Sequence, residues 1–206
     1  MSSIADSLSD LAGRGSVTLH DPADLFSEAM MEVVLPAEHV RVLGRSNGME
    51  AYAGYYRLFA LGGDAAIELR RWNAPGLWRH AWGSAADGFL CFGETGWGDQ
   101  FAYRVDDPQG PVFRLEAFSM DAEVIAAGFV EFMRTVFLPD AERPRDELTV
   151  ATRERWGRLP LAEHVTFLRG AQPGEPDVAD VTRMPAVAAM LMNAQSQGAA
   201  PLGRLR

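Results

Sequence analysis

The stretch that most constrains this chain is Gly93-Glu94-Thr95-Gly96-Trp97-Gly98-Asp99-Gln100, set between two apolar runs. Ahead of it, Phe89-Leu90-Cys91-Phe92 follows a glycine and is too short for a helix, so it reads as a buried strand. Behind it, Phe101, Tyr103 and Val105 alternate with Ala102, Arg104 and Asp106, the period-two pattern of a second strand. Together they predict a β-hairpin. The three glycines allow positive φ or close backbone approach. The bend is therefore expected to display the Trp97 indole, the Glu94 and Asp99 carboxylates and Gln100 as a surface for another protein. That expectation needs the indole open and the acids free of arginine. The competing reading is an ordinary turn whose glycines serve only the backbone.

Several functions are excluded by pattern. The spacing G-x-x-G-x-G is not the G-x-G-x-x-G of a dinucleotide fold, and a phosphate loop needs the lysine this chain lacks altogether. No cofactor is expected. A net charge of −9 opposes binding to nucleic acid or anionic membrane and suits a basic protein partner, or simple solubility. His20, His39, His80 and His164 stand apart, with no metal-ligand spacing. The single cysteine, Cys91, lies in an apolar run and reads as a buried, inert thiol. The first ten residues lack the basic and apolar regions of a secretion signal, and no apolar run approaches the ~18 residues of a membrane span, so a cytoplasmic protein is expected.

In chain order, residues 1–20 carry Ile4, Leu8 and Leu11 at helical spacing, a short helix or an arm. Residues 21–138 read as an α+β domain. Asp21-Pro22 opens a helix predicted to run to Glu32, and Leu35-Pro36 opens another that stops at Ser46-Asn47-Gly48. A strand is predicted from Tyr52 to Leu61, with Asp64 capping the next segment. Trp72, Trp78 and Trp82 form an aromatic cluster, which either fills the core or lets Trp72 and Trp78 rim the protein-binding surface. Pro111 to Leu115 is a third strand, and a helix begins at Ser119 or Asp121 with Ile125, Phe129, Phe132, Met133 and Val136 on one face. Residues 139–206 form a C-terminal extension, opened by the proline-containing charged segment Pro139 to Arg145. In it we expect a helix around Asp146 to Trp156, a short run from His164 to Leu168, a loop from Gly170 to Asp180, an apolar stretch from Met184 to Met192 and a loose tail.

From about Leu35 to Leu138 the chain resembles the SMI1/KNR4, or SUKH, superfamily. Four features in order carry the resemblance: the Leu35-Pro36 helix ending in Ser46-Asn47-Gly48; the strand at Tyr56 to Phe59; Phe92-Gly93-Glu94 leading to Gly98-Asp99-Gln100-Phe101-Ala102-Tyr103; and Gly110 with Val112, followed by the helix containing Phe129, Glu131 and Phe132. A type VI secretion immunity family has a similar glycine-aspartate hairpin, and both assignments stay open. The resemblance implies a twisted antiparallel sheet with flanking helices. It also implies a non-catalytic immunity protein that neutralises a cognate bacterial toxin by binding it. Acids at the rim would speed encounter with a basic toxin, and buried aromatics would hold the complex. A scaffold or regulatory subunit of a larger secretion or other assembly is the second reading. A third makes Glu94 and Asp99 an acid/base pair, but no nucleophile, metal or cofactor pattern accompanies them, so no enzyme is expected.

Overall fold

The protein was analysed as a computed structural model, which describes residues 3–25, 27–63, 67–168 and 177–196. The expected cap Asp64, much of the loop from Gly170 and the tail beyond residue 196 lie outside the described residues.

Helix α1 (Ile4–Gly13) forms where Ile4, Leu8 and Leu11 share a buried face, and Ser3 and Asp6 close its first turn as a capping box. It leads at once into β1 (Val17–Leu19), which pairs with β2 (Met49–Ala51). The N-terminal segment is thus the edge of the sheet, not a loose arm. The sheet continues through β3 (Tyr56–Leu58), β4 (Phe89–Thr95), β5 (Gln100–Arg104), β6 (Val112–Leu115) and β7 (Ala122–Ala126). Among the described residues these seven strands pair antiparallel in chain order, each beside its predecessor. Short helices α2 (Glu28–Met31), α3 (Ala37–Leu43) and α4 (Leu69–Trp72) fill the long connections. After the sheet come α5 (Phe129–Phe132), a π-turn over Met133–Phe137, α6 (Leu138–Glu142) and α7 (Glu147–Trp156). A separate hairpin of β8 (Glu163–Phe167) and β9 (Val181–Pro185) then precedes α8 (Ala186–Ser196). The fold is α+β.

Three expected elements differ, each for a local reason. The helix from Pro22 shrinks to α2, because the backbone of residues 21–23 bonds elsewhere: Ala23 N–H donates to Leu43 O and Asn47 N–H to Asp21 O, both at 2.9 Å. The strand from Tyr52 is broken by a turn in which Tyr52, Ala53 and Gly54 all take positive φ, and that turn joins β2 to β3. Residues 122–126 form β7 rather than the first turns of a helix. Their backbone pairs with β6 from Leu115↔Ala122 to Val112↔Ala126, so the helix starts only after Gly128. Ile125 matched helical spacing without being helical.

Helices α3 and α5 cover one side of the sheet with aromatic packing. The Phe92 and Tyr103 rings stack at 4.2 Å, and His39 stacks on Phe129 at 4.4 Å. His39 is wholly buried, and burial pushes its imidazole down to about 3, so it stays neutral and acts as a packing residue. The β8–β9 hairpin and α8 close over the side that bears Trp72, Glu94 and Gln100.

Candidate functional site

The glycine-rich bend forms where it was expected, but it is sealed. Trp97 is 9% exposed; its indole N–H donates to Thr149 Oγ1 on α7 at 2.8 Å, and its ring stacks on Phe167 of β8. Glu94 is fully buried between Arg57 and His164. Gln100, also fully buried, accepts from the Trp72 indole at 2.7 Å and donates to Gly98 O at 2.8 Å. The Trp78 indole donates to Trp72 O at 2.9 Å from within the core. Trp72, Trp78, Glu94 and Gln100 are therefore interior residues and do not form a docking face, and Trp97 is covered on the side that meets α7 and β8. The cause is the C-terminal segment: Val165 N–H of β8 donates to Gly96 O at 2.7 Å, binding the hairpin onto the tip of the bend. Close approach explains the glycines. A Cβ on Gly96 would stand 2.7 Å from Leu159 Cδ2, and one on Gly98 would stand 2.9 Å from His164 Nδ1. Only Asp99 of the predicted set stays partly exposed.

Beneath that hairpin lies a polar row invisible in the sequence. Strand register sets Glu50 opposite Arg57, Arg57 opposite Glu94, and Glu94 opposite Gln100, all on one face and all buried. Arg57 uses every N–H of its guanidinium. Nε donates to Gly54 O, Nη1 to Glu94 Oε1 and Leu161 O, and Nη2 to Pro160 O and Glu163 O, at 2.7 to 2.9 Å. At the end of the row, Glu50 accepts from Arg158 at 2.6 Å and lies 3.3 Å from His20 Nε2. His164 Nε2 sits 3.0 Å from Glu94 Oε2, at ion-pair distance but out of line for a hydrogen bond. This row fastens the C-terminal segment to the sheet, and no part of it faces solvent enough to meet a ligand.

The opposite face of the same strands opens into a cleft of about 470 Å³ between the sheet, α6 and the start of α7. Tyr56, Thr95 and Phe101 form its floor with Trp97 and Asp99 of the bend; Arg114 and Glu123 stand on one wall, and Asp140, Arg145, Asp146 and Thr149 on the other. Thus Trp97 and Asp99 do line an open site, but on the side away from Glu94 and Gln100. Asp99 accepts from Ala117 N–H at 2.9 Å and from Thr95 Oγ1 at 3.2 Å. Burial raises its pKa, and the Ala117 and Thr95 hydrogen bonds and the Arg114 charge only partly offset that. Asp140 is raised in the same way by burial, against a weak pull from Arg145, whose Nε lies 3.8 Å away. Asp140 Oδ1 is buried without a hydrogen bond. Burial, followed by the charges of Asp140, Asp146 and Asp99, raises Tyr56 and holds its phenol in the protonated form.

Neither Tyr56 nor Asp140 carried a sequence signal. One sat in an aromatic strand and the other in a segment read as a boundary. Among the described residues no group of three or more His, Cys, Asp and Glu is placed to hold a metal ion. Cys91 is fully buried, and burial pushes its thiol up to about 12, which removes it as a nucleophile.

The raised carboxyl gives a first prediction. A carboxylate whose folded pKa is raised penalises folding while it is ionised, and the penalty lifts as pH falls through the folded value. Asp99→Asn keeps an acceptor for Ala117 N–H and removes the charge. Urea denaturation should find the variant at least as stable as the parent at neutral pH, with any advantage shrinking towards acid. A clear loss of stability at neutral pH would mean that the charge itself is needed.

No helix of the described residues is long and apolar enough to cross a membrane. No protein-family profile matches the chain, and no curated protein matches it in sequence. Among solved structures, the fold is similar to that of Atu4351 from Agrobacterium tumefaciens, with a TM-score of 0.57 and 12% identity over 91% of this chain and 88% of that one. Coverage that broad takes in the C-terminal segment as well as the sheet, and at this identity the likeness is one of fold alone.

Proposed function

We propose that this chain is a non-catalytic protein-binding module of the immunity type, as the resemblance to the SUKH superfamily suggests, and that it neutralises a cognate toxin by holding a basic surface over the acidic cleft. The observation that carries this reading is the cleft's charge: four carboxylates, Asp99, Glu123, Asp140 and Asp146, face two arginines, Arg114 and Arg145. The chain's net charge of −9 acts in the same direction and would steer a basic partner inward. The binding face therefore lies on the cleft side of the bend, with Trp97 and Asp99 in its lining; Trp72, Trp78, Glu94 and Gln100 support the fold from behind.

The test is capture of a partner from the native host, followed by affinity measured at low and high salt. A basic partner is expected, with a Kd that weakens steeply as salt rises. Glu123→Arg, an exposed change at the rim, should weaken binding about tenfold, with the loss in the on-rate; the like charge it sets opposite Arg114 should lower the melting temperature only slightly. A partner held equally well at both salt concentrations and by the Glu123 variant would sink this reading.

A further inference from the structure

We infer that the floor of the cleft is a guanidinium site, in which Tyr56, Asp99 and Asp140 receive one arginine side chain of the partner protein. The inference rests on the proposed function for the source of that arginine, but its chemistry stands on the cleft itself.

The gathered acids alone would not make a site. The independent observation is Tyr56. It is 7% exposed and lines the cleft, and its hydroxyl makes no hydrogen bond to any described residue. The phenol ring is thus held almost wholly inside the fold while its hydroxyl is turned to the open cleft, free to bond to what enters there. Beside it, Asp140 Oδ1 is buried and makes no hydrogen bond, its nearest charge being Arg145 Nε at 3.8 Å. Asp99 spends one lone pair of each oxygen on Ala117 N–H and Thr95 Oγ1 and keeps another on each. Asp146 is already committed, since its carboxylate caps α7 through Leu148 N–H, Thr149 N–H and Thr149 Oγ1. It contributes field, not a ligand. The open groups are therefore two carboxylates, which ask for N–H donors that carry positive charge, and the Tyr56 hydroxyl, whose oxygen can accept one N–H more.

The shape of the site selects between cations. Asp99 comes from the bend at the floor and Asp140 from the α6 wall, so the acceptors approach from different elements, with the aromatic rings of Tyr56, Phe101 and Trp97 among them. A planar fork with five donors can reach floor and wall together and lie against a ring; a compact, strongly hydrated ammonium does this less well. The chain's own Arg145 does not fill the role. Its side chain is 75% exposed, its Nη2 donates to Thr135 O, and its Nε stays 3.8 Å from Asp140. A free amino acid would carry its own carboxylate into an acidic cleft, so the fitting source is an arginine within a polypeptide.

The test needs no partner protein. The ¹⁵N-labelled chain is titrated with N-acetyl-arginine amide, N-acetyl-lysine amide and the uncharged isostere N-acetyl-citrulline amide, and the amide signals of Tyr56, Thr95, Asp99 and Asp140 are followed. The arginine probe should give saturable shifts confined to the cleft, with the lysine probe several-fold weaker and citrulline silent. Asp99→Asn/Asp140→Asn, which keeps the shapes, should weaken the arginine probe at least about tenfold, the scale of a lost charge-assisted hydrogen bond. Tyr56→Phe, which removes one oxygen, should weaken it by a smaller factor with the fold intact. Equal binding of citrulline, equal binding of lysine, or arginine shifts that survive the double variant would each overturn the assignment, as would the absence of any saturable shift. Failure here beside a captured, salt-sensitive partner would leave the proposed function standing. Success here without any captured partner would count against that function alone.

Discussion

Exchanging Arg57 for methionine will lower stability by about 3–5 kcal/mol, the range for removing one member of a buried ion pair. The reason is the completeness of its bonding. The substitution leaves Glu94 charged in a fully buried place and strips Pro160, Leu161 and Glu163 of the donor that satisfies their carbonyls. Damage should concentrate where those carbonyls lie. Hydrogen exchange across residues 159–168 is expected to rise well before that of β4 and β5, and urea denaturation will report the total. Adding Glu94→Met to the same chain should recover part of the loss, because an apolar pair leaves no stranded charge. A single variant with unchanged stability, or a double variant worse than the single by the same amount again, would show that the pair does not act as a unit. Acid should reach the same joint. Burial raises Glu94, but His164, Arg57 and Gln100 together outweigh it and bring its pKa below the ordinary 4.5. A carboxylate lowered in the fold gives stability that is complete above its unfolded value and lost as pH falls through the folded one. The acid limb of the stability curve should therefore flatten in the double variant.

Gly98→Ala is the second large effect expected, at about 2–5 kcal/mol. About 1–2 kcal/mol comes from placing an L side chain at φ +92°. A further ~1–3 kcal/mol comes from overpacking, because the new methyl would stand 2.9 Å from His164 Nδ1 and 3.1 Å from Met190 Sδ. Gly15 is the control: its φ is +75°, and a Cβ there meets nothing within 4 Å. Gly15→Ala should show the backbone cost alone. Equal losses at the two positions in parallel melts would mean that the C-terminal segment does not press on the bend.

The contrast between those glycines explains what the chain disclosed in advance. Patterns of short range were legible: the Ile4, Leu8, Leu11 face of α1, the strands on both sides of the bend, β6, and α7 with Asp146 at its start all follow from spacing and caps. The use made of the bend was not. Glycine permits display and close approach equally well, and only the arrival of β8, distant in sequence, decides between them. Charge misled in the same way. Glu94 and Arg57 look like solvent residues because charged side chains are rarely buried unless paired, and their pairing is a matter of register between β3 and β4. The tryptophans followed the plainer alternative, core packing. In the cleft, the sequence offers Asp99 together with Glu94 and Gln100, which the strand register sends to the opposite face, while Tyr56 and Asp140 meet only through the way α6 crosses the sheet.

The ordering of the strands bears on how the molecule is made. Each strand can zip onto its predecessor as the nascent chain lengthens, so the meander is assembled from neighbours and needs no distant recruit. Its charged row must then wait, hydrated, until residues 160–168 leave the ribosome and shut over it. A chain cut before Pro160 would consequently carry a wettable strip along the meander where the finished protein has a covered one.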